Sequence, residues 1–244
     1  MNSPAGVDAA PRLLVLGDSL TFHGPDQAHP PSDPRLWPNV AAGRGEVDVA
    51  AGVGWTARDA WWALTRDPRI WGEFLPRADA LVIAVGGMDA LPAAIPTYLR
   101  QGIAYIRPGW VRRRVRGFYL TASPHVVRVL AGPLRQLPQA ATDHYLTRIV
   151  QAVRTWYPDL PILALTPPPH RAGLYPTQRF FADSVAAAHA WGRREEVTIV
   201  DVTELVQQGL DAGTHSPDGM HFGWPTHQLL GQMVAEAVAA ASVP

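Results

Sequence analysis

Ser19, Asp218 and His221 are the residues whose types and placement could together do covalent chemistry. Ser19 stands two residues beyond Gly17, at the end of the apolar run Arg12-Leu13-Leu14-Val15-Leu16-Gly17. A continuous apolar run of that length reads as a strand covered on both faces, and open α/β sheets collect their chemistry at the carboxyl ends of such strands. Gly17 permits a sharp exit, after which Ser19 can open a helix whose N–H groups point at a bound anion. The same residues have a plainer use, because Asp18 and Ser19 are both common helix caps. This stretch by itself leaves nucleophile and cap open. A serine hydroxyl needs a base to take its proton and a carboxylate to hold that base in one tautomer. Asp218 and His221 lie three apart in a loop near the end of the chain. At that spacing a short turn can set the carboxylate on Nδ1 and leave Nε2 facing out. An Asp-x-x-His is also an ordinary surface turn in a chain with nine histidines. The two signals reinforce each other, because one follows the first strand and the other precedes the last helix. Acyl transfer further needs donors for a developing oxyanion. Gly54 and Gly86-Gly87, at the ends of the second and third strands, can bring backbone N–H groups toward Ser19, although glycine is also normal turn chemistry there.

Composition narrows the chemistry. All 21 basic residues are arginine, so a Schiff-base lysine and a P-loop lysine are absent, and with no cysteine the nucleophile of a covalent acyl-transfer enzyme must be a hydroxyl. The spacing of histidines and carboxylates suggests no metal site, and no glycine-rich loop matches a nucleotide fingerprint. The formal net charge is zero, so no global field draws the protein to nucleic acid or an acidic membrane. Met1 to Pro11 lacks a basic region followed by an apolar core, and no run approaches the roughly 18 apolar residues of a membrane span. The expectation is a cytoplasmic protein without a stable membrane anchor or nucleic-acid partner. At 244 residues, one domain over 1–244 is the simplest organisation.

The elements that must position these residues read as alternating strands and helices. Strands are expected at Arg12–Gly17, Glu46–Ala50, Ala80–Val85, Pro161–Leu165 and Val197–Asp201. Helices are expected at Thr56–Leu64, Leu91–Ile106 (interrupted or started by Pro92 and Pro96), Gln139–Tyr157, Thr177–Gly192 and Trp224–Ala241, with short helical turns near Asn39–Ala42. A proline-rich loop covers Gly24–Pro38, and a partly helical insertion rich in arginine covers roughly 107–137. The pattern predicts an α/β fold, a three-layer α/β/α sandwich with a central parallel sheet of about five strands.

Gly17-Asp18-Ser19-Leu20, Gly54-Trp55-Thr56, Gly86-Gly87-Met88-Asp89 and Asp218-Gly219-Met220-His221 follow the order and spacing of the four blocks of the SGNH (GDSL) hydrolase superfamily, which the chain resembles from end to end. The resemblance implies a flavodoxin-like fold. It also implies Ser19 as nucleophile, His221 as general base and then acid, Asp218 as orienting carboxylate, and the N–H groups of Ser19 and Gly54 in an oxyanion hole. The third block departs from the superfamily's Gly-x-Asn-Asp, because Met88 stands where an asparagine would donate. Either a backbone N–H near Gly87 or another side chain substitutes, or the hole is weaker. A narrower resemblance accommodates Met88. Asp33-Pro34-Arg35-Leu36-Trp37-Pro38-Asn39, Gly54-Trp55-Thr56-Ala57-Arg58-Asp59-Ala60-Trp61-Trp62, Asp67-Pro68-Arg69, Gly86-Gly87-Met88-Asp89 with Leu91-Pro92, and the Arg107-Pro108 stretch resemble the diglucosylglycerate octanoyltransferase family, in which Gly-Gly-Met-Asp is the rule. That resemblance implies transfer of an octanoyl group from octanoyl-CoA, a co-substrate and not a resident cofactor, onto a glucosyl hydroxyl of diglucosylglycerate. The reaction belongs to methylglucose lipopolysaccharide biosynthesis.

The remaining residues carry two readings each. Asp18, Trp55, Arg58 and Asp89 are candidate substrate-binding residues, and Asp89 is also expected to brace the site through hydrogen bonds. Trp37, Trp55, Trp61 and Trp62 suit sugar faces or an acyl pocket, and equally a core. Arg58 and the Arg107–Arg116 run match a glycerate carboxylate or CoA phosphates, or form a solvated face. His23, His125, His170 and His215 read as loop or core residues. Two other functions use the same residues: an esterase or thioesterase with the same triad, and a non-catalytic carbohydrate-binding protein. Met88 speaks for the last, and the intact triad speaks against it.

Overall fold

The computed structural model describes residues 10–129 and 134–242; most of the Met1–Pro11 segment and four residues of the insertion lie outside them. Five apolar runs pair in parallel: β1 (Arg12–Gly17), β2 (Glu46–Ala51), β3 (Ala80–Ala84), β4 (Ile162–Leu165) and β5 (Thr198–Val200), in the spatial order β2-β1-β3-β4-β5. The principal helices are α1 (Trp37–Ala42), α2 (Ala57–Arg66), α3 (Gly109–Val129), α4 (Gln139–Trp156), α5 (Phe181–Glu195), α6 (Thr203–Asp211) and α7 (Trp224–Ala241).

Successive strand residues face opposite sides of the sheet, and both sides are covered. Leu14, Leu16, Leu81, Ile83 and Ala164 pack with Leu64 of α2, Ile149 and Val153 of α4, and Trp191 of α5. Leu13, Val15, Val82, Leu163 and Val200 pack on the other side with Ala41 of α1, Leu210 of α6, and Leu230 and Val234 of α7. Leu13 to Leu16 are at most 1% exposed, and burial of each such side chain stabilises by about 1.5–3 kcal/mol. That double coverage makes the three central strands, β1, β3 and β4, nearly continuous apolar runs, while the edge strand β2 carries Glu46 and Asp48. The α/β/α sandwich is therefore present, with its five parallel strands.

The strand order turns β1 into the switch point, with β2 on one side and β3 on the other. Gly17 is paired with Ala51 and also with Ala84, so the three strands end level. The loops carrying Ser19, Gly54 and Gly86-Gly87 consequently leave the sheet side by side.

The third strand's exit differs from the expected helix over Leu91–Ile106. A short turn over Gly87–Ala90 leads to Pro92–Ala93, which pairs antiparallel with Leu134–Arg135, and helical pieces follow at Thr97–Gly102 and Ile103–Tyr105. Pro92 and Pro96 explain the break, since each lacks an N–H and pushes the preceding residue out of the helical region. The small ladder closes the base of the insertion, whose described part is mainly the 21-residue α3. The fourth expected helix begins at Phe181 and not at Thr177. Helix α6 and a helical run over Ile70–Arg77 were not expected; both are short and locally weak, and tertiary packing of Val206, Leu210, Ile70 and Leu75 holds them.

Candidate active site

Beyond Gly17 the chain folds into a single 3-10 turn over Ser19–Thr21, and the Asp18 carboxylate accepts from the Leu20 N–H at 2.9 Å. Asp18 is thus the cap, and the Ser19 hydroxyl is left for other partners. Its Oγ lies 3.0 Å from Nε2 of His221. His221 Nδ1 lies 2.6 Å from Oδ2 of Asp218, whose Oδ1 accepts from the N–H groups of Met220 and His221 at 2.8 and 3.1 Å. Ser19, His221 and Asp218 are therefore joined in one hydrogen-bonded line.

Backbone contacts hold the base's loop in place. Arg171 N–H donates to the Gly219 carbonyl at 2.7 Å, and Ser216 N–H to the His221 carbonyl at 3.0 Å. Gly219 has φ +71°, and a Cβ there would stand 2.4 Å from the Arg171 carbonyl oxygen, so only glycine fits. Burial tends to raise the pKa of Asp218, but its bonds to Met220 and His221 outweigh this and hold it at about 2. The carboxylate is therefore ionised and draws the imidazole proton to Nδ1, leaving the Nε2 lone pair for Ser19. Burial lowers the pKa of His221, Asp218 pulls it up, and His23 lowers it further; the net shift is downward.

The second and third loops are fastened together. Thr56 opens α2, its N–H and hydroxyl donating to Asp59 at 2.9 and 2.6 Å. Asp89, fully buried, accepts from the Ala57 N–H at 3.1 Å and from the Thr142 hydroxyl at 2.8 Å. It joins the β3 exit to α2 and α4. Gly54, at φ +68°, ends the turn that begins at Gly52. The Met88 methyl sits 3.7 Å from where a Gly54 Cβ would stand. A thioether methyl thus covers the glycine of the second block, and it has no hydrogen to donate.

The candidate substrate contacts separate. Asp18, 3% exposed, and Asp89, 0% exposed, have carboxyls engaged by internal donors: the Leu20 N–H for Asp18, and the Ala57 N–H and Thr142 hydroxyl for Asp89. Burial raises Asp18 to about 7 and Asp89 to about 6. Trp55 and Trp62, with Asp59, Arg66 and Asp67, line an open cavity of about 540 Å³ beside α2. Arg58 lies over the Trp62 ring at 4.8 Å. Trp37 is a core residue whose indole N–H donates to the Leu20 carbonyl, and Trp61 packs on the core beneath Arg148. Among the described residues, no group of three histidines and carboxylates could hold a metal ion.

His23 was expected as a loop or core residue, and its place is more specific. Its ring stacks on His221 with centroids 3.7 Å apart and planes inclined by 19°. Its carbonyl lies 3.1 Å from Nε2 of His227, whose Nδ1 accepts from the Trp37 N–H at 3.1 Å. Accepting at Nδ1 forces the His227 proton onto Nε2, where it donates to His23; burial keeps this imidazole neutral with a pKa of about 4. A relay of fixed groups therefore runs from α1 through His227 and His23 to the flat face of the base. Only the short Ser19–His23 spacing hinted at it.

Two outcomes follow from this geometry. His23→Ala is expected to lower kcat by roughly ten- to hundredfold through a wandering His221 ring, and His23→Phe to recover most of it. Both variants lose the His23 influence that lowers His221, so the acid limb of the pH–rate profile moves to higher pH; unchanged kcat and limb in His23→Ala would contradict the stacking role. Asp18 is harder to ionise folded than unfolded, so its favourable contribution is full while protonated and is lost as pH rises from 3.8 to about 7. Asp18→Asn should therefore lose less melting temperature than the native chain across that window, and parallel melting curves would refute the assignment.

Residues 15–229 match the GDSL-like Lipase/Acylhydrolase family. The chain is 40% identical to a protein named diglucosylglycerate octanoyltransferase from Mycolicibacterium hassiacum, over 96% of this chain and 97% of the relative. It is 38% identical to a protein of the same name from Mycobacterium tuberculosis, over 96% and 94% of the two chains. The fold is shared with the lipase/acylhydrolase from Enterococcus faecalis at a TM-score of 0.63 and 18% identity, covering 94% of this chain and 96% of the other. With its four sequence blocks gathered at the level ends of β1, β2 and β3 and at the loop before α7, the chain belongs to the GDSL-like lipase/acylhydrolase family.

Proposed function

We propose that this protein is a serine-dependent O-acyltransferase that moves an octanoyl group from acyl-CoA to a glucosyl hydroxyl of diglucosylglycerate, a step in methylglucose lipopolysaccharide biosynthesis. The observation that carries this reading is the 38–40% identity, across 96% of the chain, to two relatives named diglucosylglycerate octanoyltransferase. The Ser19–His221–Asp218 line supports the chemistry. In the first half-reaction Ser19 Oγ attacks the thioester carbonyl as His221 Nε2 takes its proton. The Asp218 carboxylate stabilises the imidazolium. The oxyanion is met by the N–H groups of Ser19 and Gly54, with a further backbone N–H near Gly87. Collapse expels the CoA thiolate, which leaves as thiol with the proton from His221, and octanoate remains esterified to Ser19. In the second half-reaction the sugar hydroxyl gives its proton to His221 and attacks the acyl carbonyl. The new ester leaves, and Ser19 recovers its proton.

Water is the competing acceptor, so the acyl-serine must be covered. The loop over 24–38 supports that role because it is held in shape. Asp33 accepts from the Arg35 N–H, Nε and Nη2 at 3.0, 3.0 and 2.7 Å, and Asn39 Nδ2 donates to the carbonyls of Pro31 and Asp33. Arg35 lies 4.1 Å over the ring of Trp224, at the start of α7. The insertion rises from the β3 exit, at the same edge of the sheet as Ser19. Trp55 and Arg58 are assigned to the acceptor side, flanking Gly54.

The test incubates the protein with octanoyl-CoA, with and without diglucosylglycerate, and follows octanoate and acylated sugar. Acylated sugar that requires both substrates and is abolished by Ser19→Ala is expected. Octanoate as the sole product in both arms would replace transfer with esterase or thioesterase activity. Sugar binding without any acyl-serine would replace it with a binding protein. Met88→Asn returns a side-chain donor to the third block. It should raise hydrolysis of p-nitrophenyl octanoate by about tenfold, part of the ~10²–10³ that one oxyanion donor commands when deleted.

A further inference from the structure

Eight of the 21 arginines and none of the 21 acidic residues lie between Asp89 and Asp143. This stretch carries a formal charge of +8 and the rest of the chain −8, so the zero net charge conceals a strong separation. Four of the arginines, Arg112, Arg113, Arg114 and Arg116, crowd the first two turns of α3. Like charges at such spacings destabilise a helix unless anions meet them. Arg112 donates to the Ala104 carbonyl at 3.4 Å, a neutral acceptor that leaves its charge uncompensated.

The same stretch exposes large apolar side chains. Of the 11 large hydrophobics that are exposed among the described residues, seven lie in it, among them Tyr105 at 83%, Phe118 at 75% and Trp110 at 63%. The helical repeat places Trp110, Arg114, Phe118, Arg128 and Val129 on one stripe of α3, with Arg113 at its margin and Leu120 farther round, toward Val127. Ser123 and Val127 mark the opposite, buried side. A face that alternates arginine with exposed aromatic and aliphatic groups is the pattern of a helix lying in a lipid interface. A two-fold pairing of this face with the same face of a second copy does not suit it, because +8 would meet +8. A polynucleotide would satisfy the arginines but give aliphatic Leu120 and Val129 nothing to enter.

We propose that the outer face of α3 docks the protein reversibly on an anionic lipid surface, the arginines pairing with headgroup phosphates while Trp110 and Phe118 enter the headgroup–acyl boundary. The docking is peripheral, since no helix among the described residues is long and apolar enough to cross a membrane. It is independent of the acyl-transfer reading, because it uses none of the groups around Ser19.

The experiment sediments the full chain with vesicles of pure phosphatidylcholine and of equimolar phosphatidylglycerol and phosphatidylcholine, at low and high salt. Sedimentation is expected with the anionic vesicles only, and to be suppressed by salt. The triple variant Arg113→Glu, Arg114→Glu, Arg128→Glu should weaken binding at least about tenfold, and Trp110→Ser with Phe118→Ser several-fold. In both variants fluorophosphonate labelling of Ser19 should match the native chain, which reports an intact fold. Failure of the native chain to sediment with anionic vesicles, equal binding to both vesicles, or unchanged binding in either variant would overturn the proposal. Polyuridylate that displaces the protein from anionic vesicles at equal phosphate concentration would reassign the face to nucleic acid and overturn it as well.

Discussion

The 3.0 Å approach of His221 Nε2 to Ser19 Oγ spans 202 residues of sequence, and the whole architecture serves to hold it. A hydrogen bond of that length fails if either loop drifts by an ångström. Ser19 is fixed from below by β1, the most deeply buried strand, whose end is level with its two neighbours. His221 is fixed by the Gly219–Arg171 backbone contact and by Asp218, which grips its ring nitrogen and its own N–H at once. A third restraint, the His23 ring, lies flat on the imidazole and is itself anchored through His227 to α1. Three independent restraints converge on one side chain whose orientation decides whether a proton moves.

The family's sequence blocks divide physically into groups that act and groups that hold. Ser19, His221 and Asp218 have polar atoms directed at one another. Asp18 and Asp89 belong to the same blocks but are sealed in the protein, where they cap a turn and join loops. Sealing an ionisable carboxyl against its ordinary pKa works against stability at neutral pH. Their retention beside the nucleophile follows from backbone donors that need an acceptor. The Asp33–Asn39 block is also a holding element, because its polar side chains bind each other and their own backbone.

Met88 separates this site from that of an asparagine-bearing relative in a single chemical respect. Its methyl rests against the Gly54 turn, so an apolar group stands where a side-chain amide would offer a donor. The charge separation of the chain adds a second division of labour, with the cationic insertion rising from the sheet edge that also carries Ser19.

What the sequence by itself determined was whatever local pattern encodes. Three strands, β1, β3 and β4, were legible because double coverage makes each a nearly uninterrupted apolar run, β2 and β5 at the sheet's two edges by shorter apolar stretches, and α7 because its apolar pattern is long and starts at Gly223 with Pro225 behind it. The grouping of Ser19, Asp218 and His221 was legible because these residue types, in this order along an α/β chain, have few other uses together. Tertiary structure alone decided the rest. Pro92 and Pro96 already marked a break in the sequence, but the ladder that Pro92–Ala93 forms with Leu134–Arg135 needed a distant segment to pair with. Helix α6 forms through contacts with strands and helices far along the chain, which no window of its nine residues contains. His23 became a clamp and Asp89 a brace only when elements separated by scores of residues closed around them. Stacking, burial and pKa depend on neighbours in space, and a linear pattern carries no record of those.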